Sequence, residues 1–88
     1  MKATVYKTDG SSYPVKPNNG KSFSLEELQK IVGGFIENIY LNDGSVMVVN
    51  EEGKIYALEL NKEATRILHS NFKTNDFVVG DVIIYNQK

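Results

Sequence analysis

The chain has 88 residues, ten basic and eleven acidic side chains, one histidine and no cysteine, for a formal net charge of −1. That length holds one domain with a single thin core, burying roughly 60–65% of the surface of the unfolded chain. Lack of cysteine excludes disulfides, thiolate metal sites and a cysteine nucleophile. No apolar run approaches the roughly 18–20 residues of a membrane span, and the start Met-Lys-Ala-Thr-Val-Tyr-Lys lacks the apolar core of a signal peptide, so a cytoplasmic protein is expected.

Charge is unevenly placed. Residues 1–22 carry Lys2, Lys7, Lys16 and Lys21 against Asp9 alone, whereas residues 23–88 carry six basic and ten acidic side chains. An acidic body argues against strong general nucleic-acid binding, which needs several phosphate-neutralising cations on one face. The basic N-terminal segment leaves a weaker form of that function open.

Residues 2–7 read as a strand with Ala3 and Val5 on one face. Asp9-Gly10 predicts a two-residue hairpin turn in which both residues tolerate positive φ. Ser12 to Lys16 is the returning strand, and Pro14, with no amide proton, makes it an edge strand. Pro17-Asn18-Asn19-Gly20 is a loop. It leads to the best-signalled element, a helix over 25–32. Ser24 is its N-cap and Glu27 completes a capping box; Phe23 and Leu28 fit a hydrophobic staple. Leu25, Leu28, Ile31 and Val32 give it an apolar face, and Gly33-Gly34 supply the left-handed stop.

Residues 35–41 are rich in aromatic and β-branched side chains and read as a strand. Asn42-Asp43-Gly44 is a second Asp-Gly turn, and Ser45 to Asn50 is the most buried strand. Glu51-Glu52-Gly53 predicts a bulged hairpin with Gly53 left-handed, and Lys54 to Leu58 a further strand, completing a three-stranded antiparallel meander. Asn61 looks like a second N-cap, for a helix over 62–70 with Ala64, Ile67 and Leu68 inward and Asn71 as a left-handed end. Residues 77–85 close the chain as an apolar strand interrupted at Gly80 and lying inside the sheet. The expectation is one α+β domain over 1–88, with a basic hairpin (1–22) and a core (23–88). Its order is β-β-α-β-β-β-α-β, a mostly antiparallel sheet packed with two short helices.

Four stretches taken together resemble a known family. They are Leu25-Glu26-Glu27-Leu28-Gln29-Lys30-Ile31-Val32-Gly33-Gly34-Phe35-Ile36-Glu37, then Asn50-Glu51-Glu52-Gly53-Lys54, Asn61-Lys62-Glu63-Ala64-Thr65 and Asp76-Phe77-Val78-Val79-Gly80-Asp81-Val82-Ile83-Ile84. This order of motifs, over about two thirds of the chain, is similar to a family of small domains of unknown function common in bacteriophages, plasmids and conjugative elements. Relatives are often proline-rich before the Asn-x-x-Ala helix, where this chain has Leu58-Glu59-Leu60. The resemblance implies a small accessory protein of a mobile element and supplies no chemistry.

The residues themselves offer little catalysis. His69, near the end of a helix, has no cysteine partner and no serine elbow, so it reads as a helix-end residue favoured by the dipole. The acids of 42–43, 51–52, Asp76 and Asp81 sit where turns already want them and match no calcium loop. Gly33-Gly34 and Gly53 form no phosphate-binding pattern. No enzyme, cofactor or metal is expected. The leading expectation is a non-catalytic module that docks a protein partner, or itself, through an exposed strand edge at 2–7 or 12–16. Proline at Val5 is then expected to abolish association and spare the fold. The alternative is a small-ligand binder, of nucleotides for instance, with a pocket between the Gly33-Gly34 turn and the 50–53 turn, so that Gly33, Gly34, Asn50, Glu51 and Gly53 are the candidate site residues. A third reading is weak nucleic-acid binding through Lys7, Tyr13 and Lys16, with strand tyrosines stacking bases.

Overall fold

Two Asp-Gly-Ser turns and one capped helix set the order of the chain. A computed structural model describes residues 1–86, so the last two positions of the domain expected over 1–88 lie outside the described residues. The elements are β1 (Lys2–Tyr6), β2 (Ser12–Pro14), α1 (Leu25–Val32), β3 (Ile36–Tyr40), β4 (Val46–Asn50), α2 (Lys62–Asn71) and β5 (Val82–Asn86). The strands form one antiparallel sheet in the order β2-β1-β5-β4-β3. The α+β class, the antiparallel sheet and, apart from one strand between β4 and α2, the succession of strands and helices are as expected from the sequence. No helix of the described residues is long and apolar enough to cross a membrane.

The sheet is covered on both faces. Ala3, Val5, Val46, Val48 and Ile83 pack against Leu28 and Val32 of α1. The alternate residues Met47, Val49 and Val82 pack with Ala64 and Leu68 of α2. Strand side chains point to opposite faces with period two, so a strand between two helices is apolar at every position. β4 is buried throughout, and Met47, Val48, Val82 and Ile83 expose nothing. Helix α1 begins as its sequence predicts. Ser24 Oγ accepts from the Glu27 amide at 3.1 Å, the Glu27 carboxylate accepts from the Ser24 amide at 2.9 Å, and Gly33 ends the helix at φ +81°. Leu25, expected on the inner face, stands exposed in the first turn.

Both Asp-Gly turns differ from the expected two-residue form. The Lys7 amide bonds the Ser11 carbonyl and the Gly10 amide bonds the Lys7 carbonyl, and the same pattern joins Leu41, Gly44 and Ser45. Only the glycine is left-handed in each, at φ +91° and +87°. These are three-residue loops with a bulge at glycine. The following serine is what selects them: Asp9 accepts from the amide and hydroxyl of Ser11, and Asp43 from those of Ser45.

The strand expected at 54–58 is instead a run of turns over 51–57 that ends on left-handed Ala57, at φ +53°. Leu58 N–H closes it on the Gly53 carbonyl at 3.0 Å. The reason is topological. β4 has two edges, β3 takes one and β5 the other, so no place beside β4 remains for a meander. The pairing left to this region is an isolated bridge, Leu60 to Val79. Gly53 is not left-handed. A Cβ there would meet Val79 Cγ2 at 2.9 Å, so close packing is what demands glycine. Nor does Asn71 end α2 in a left-handed conformation: it is the last helical residue, and the extended Phe72 follows as C-cap. Its side chain is occupied with the Asn42 amide and the Ile67 carbonyl.

The strand edges also fall differently. β1 is paired on both sides, by β2 and β5, and Val5 is buried. Proline at Val5 therefore breaks the interior of the sheet and cannot serve as a probe of association. The true edges are β2 and β3.

Asn61 ties these layers together. Fully buried, it caps α2 by accepting from the Ala64 amide at 3.0 Å, and its Nδ2 donates to the carbonyls of Tyr6 and Gly80, each at 2.9 Å. Replacing it with alanine takes a hydrogen-bond partner from two carbonyls and an amide. Asn61→Ala is expected to lower stability by about 2–4 kcal/mol and Tm by roughly 10 °C or more, read by thermal and urea denaturation. A loss under about 1 kcal/mol, the worth of an ordinary exposed cap, would show that water reaches these groups.

Candidate functional site

The candidate glycines and turn residues converge around one side chain. Asn50, at the end of β4, donates through Nδ2 to the Val32 carbonyl at 3.1 Å and accepts the Glu52 amide at 2.8 Å. The Glu51 amide bonds the Phe35 carbonyl at 2.8 Å and the Gly53 amide bonds the Asn50 carbonyl at 3.2 Å. A Cβ at Gly34 would meet Asn50 Nδ2 at 2.9 Å. Gly33, Gly34, Asn50, Glu51 and Gly53 are thus brought together as a knot that fastens the end of α1 to the turn after β4. The room that Gly34 leaves is filled by Asn50. The surface over the knot is an open groove floored by Gly33 and Gly34 and walled by Phe35, Glu52 and Tyr56.

A cleft of about 170 Å³ lies on the opposite face of the sheet. Glu37 and Ile39 of β3, Val49, Leu68 of α2, Ile55 and Phe77 shape it. Lys54 crosses the Phe77 ring, its Nζ 4.5 Å from the centroid, and bonds the Asp76 carboxylate. Asp76 also accepts from the Phe77 amide at 2.8 Å. Lys54 and this amide hold the Asp76 carboxyl below its ordinary value. Glu37 and Glu51, also in the lining, are exposed and have no ion-pair partner among the described residues. His69 Nε2 lies 2.7 Å from the Asp76 carbonyl and donates to it, tethering the 72–77 loop to the last turn of α2. Sequence reasoning singled out Glu51 of this group and missed Glu37. The signal was a lone acid on a strand that otherwise reads apolar.

The hairpin residues Lys7, Tyr13 and Lys16 line a third groove, beside α1, with Lys30. Glu27 and Asp81 share it. Asp81 pairs with Lys7 at 3.3 Å, which raises the Lys7 ammonium above its ordinary value, and also accepts the Thr8 amide at 2.9 Å. This groove is mixed in charge.

The two sheet edges are chemically unlike. Bonds from Lys7 to Ser11 and from Val15 to Ala3 bracket the β1–β2 ladder, so Ser12 and Pro14 turn their backbone outward. Pro14 has no proton to offer there. On the other side, the bonds Leu41 to Ser45 and Glu51 to Phe35 bracket the β3–β4 ladder. Ile36, Asn38 and Tyr40 then direct both N–H and C=O away from the sheet. Large apolar side chains stand beside this open edge: Phe35 is 62% exposed and Tyr40 69%.

A family model described as Domain of unknown function (DUF3846) matches residues 1–88, and the chain belongs to that family. No curated protein and no solved structure matches it.

Several carboxylates are engaged by amides or cations and held below their ordinary values, among them Glu27, by the Ser24 and Asn18 amides, Asp43, by Ser45, and Asp76, by Lys54. Their unfolded values are the ordinary ones, 4.5 for glutamate and 3.8 for aspartate. The folded state therefore binds fewer protons in acid, and stability is complete above this range and falls as pH drops through it. Urea midpoints measured from pH 7 to pH 2 should hold level to about pH 5 and then decline. Glu27→Gln should flatten that decline; an unchanged slope would remove the capping box from the account.

Proposed function

We propose that this member of the DUF3846 family is a non-catalytic binding module that engages a protein partner by adding the partner's extended segment to the open edge of β3. The carrying observation is the asymmetry of the edges. One exposes Pro14, while the other exposes the backbone of Ile36, Asn38 and Tyr40 with Phe35 and Tyr40 standing uncovered beside it. Free N–H and C=O groups along an edge supply main-chain affinity, and neighbouring apolar side chains supply area. His69, Asp43 and Asp76 are occupied with local hydrogen bonds, which favours binding over catalysis. The groove over Gly33 and Gly34, where the nucleotide alternative places its pocket, is about 540 Å³ but lies open to solvent, and the Asn50 amide beneath it is used up on Val32 and Glu52, which favours a protein partner over a nucleotide. The mixed charge around Lys7, Tyr13 and Lys16 favours it over nucleic acid in turn. An accessory role in a phage, plasmid or conjugative element is the setting that the sequence motifs imply.

Asn38→Pro removes one outward N–H and no ladder bond, so the sheet should survive with Tm lowered by only a few degrees. Ten-residue peptides selected for binding from a random library should perturb the amides of Ile36, Asn38 and Tyr40 in ¹⁵N NMR spectra. The proline variant should lose them. Binders that map elsewhere, or that hold equally to the folded proline variant, would falsify the edge reading.

A further inference from the structure

Resting on that strand-addition reading, we infer that the segment recognised at β3 is a basic one, whose lysine or arginine side chains on one face meet Glu37 and Glu51 at the cleft. Side chains of an added strand alternate between the two faces of the sheet. Those on the α2 face lie alongside Glu37 and Ile39, which are lining residues of the cleft. Its apolar walls, Ile39, Ile55 and Phe77 among them, suit the methylene stem of a long cationic side chain, and its carboxylates suit the head. The chain's own Lys54 already uses the site in this way, with its ammonium over Phe77 and its charge on Asp76. Asp76 is thereby taken, and Glu37 and Glu51 remain for an incoming cation.

Charge also selects against a second copy of this chain. Pairing β3 with β3 of another molecule brings the two sets of Glu37 and Glu51 toward each other. Head-to-tail pairing offers the basic hairpin, but the edge there is short and closed by Pro14. A basic extended segment of a different protein meets neither obstacle.

Three fluorescein-labelled ten-residue peptides, alternating Val-Lys, Val-Ser and Val-Glu, test this by anisotropy at 50 and 500 mM NaCl. The Val-Lys peptide should bind about five- to tenfold tighter than Val-Ser at low salt, and the preference should shrink to about twofold or less at high salt. Val-Glu should bind weakest. The double variant Glu37→Gln/Glu51→Gln should bind Val-Ser as the parent does and lose the preference for Val-Lys. Asn38→Pro should lose all three, which separates edge binding from general attraction to an acidic protein. Equal binding of the three peptides, lost in Asn38→Pro, would keep strand addition and overturn the basic class. A preference for Val-Lys that persists in the glutamine variant would overturn the assigned carboxylates. No binding by any peptide would overturn both readings, and a dimer in light scattering that Asn38→Pro dissolves would make a second copy the occupant.

Discussion

Everything on the second face of the sheet hangs on the side chain of Asn61. It sits where three segments meet: the end of β1, the bulge before β5 and the start of α2. Each brings a backbone group to its side-chain amide. A buried carbonyl left alone costs on the order of 1–3 kcal/mol, and a chain of this size has little stability to spare. One amide side chain satisfies all three, and its own amide bonds Val78 at 2.8 Å. With α2 fixed there, Leu68 and Ala64 cover Met47 and Val49, and β4 is sealed on both faces. Asn50 plays the corresponding part on the first face, joining α1 to the turn beyond β4.

Sealing β4 and β5 decides which edges remain. A five-stranded sheet has two, and the long connection through α2 returns the chain to the middle, between β1 and β4. The outer strands are then β2 and β3. One is three residues long and closed by Pro14; the other is five residues long and carries Glu37 as its charged side chain. Proteins commonly blunt exposed edges with proline, short strands or charge. β2 has two of these devices, whereas the single acid on β3 leaves its outward backbone uncovered. Blunting one edge also stops copies from stacking head to tail into a filament, since that arrangement needs both.

Local signals in the sequence carried most of the architecture. Ser24 with Glu27, and Asn61 three residues before Ala64, placed both helix starts, because caps depend on neighbours a few residues away. The unbroken apolar and aromatic run 82–85 placed β5 inside the sheet. The failures share a cause in long-range competition. Residues 54–58 have strand-like composition, yet Ile55 and Tyr56 end exposed because β5, arriving from 25 residues later, occupies the edge of β4 that they needed. Gly53 and Gly34 look like turn glycines, and only the approach of Val79 and Asn50 shows that packing requires them. The candidate residues Gly33, Gly34, Asn50, Glu51 and Gly53 do assemble, but as a structural knot; Glu37, on the opposite face, was hidden in a strand whose edge position no local pattern encodes.

The same competition explains why so much apolar surface sits at one end of the molecule. A segment displaced from the sheet keeps the side chains that suited it to one, so Tyr56, 64% exposed, stands beside Phe35, and Ile55, 78% exposed, stands at the cleft with Glu37 and Ile39 of β3. In a chain whose core is thin, those residues contribute little to folding where they are. They do line the approach to the open edge, on either side of the Asn50 knot, and that knot holds them there by fixing the 51–57 turns to α1. The fold thus places a backbone edge, an apolar surround and two carboxylates without an ion-pair partner among the described residues within one region, while the basic hairpin with Lys2, Lys7, Lys16 and Lys21 lies at the opposite edge, behind Pro14.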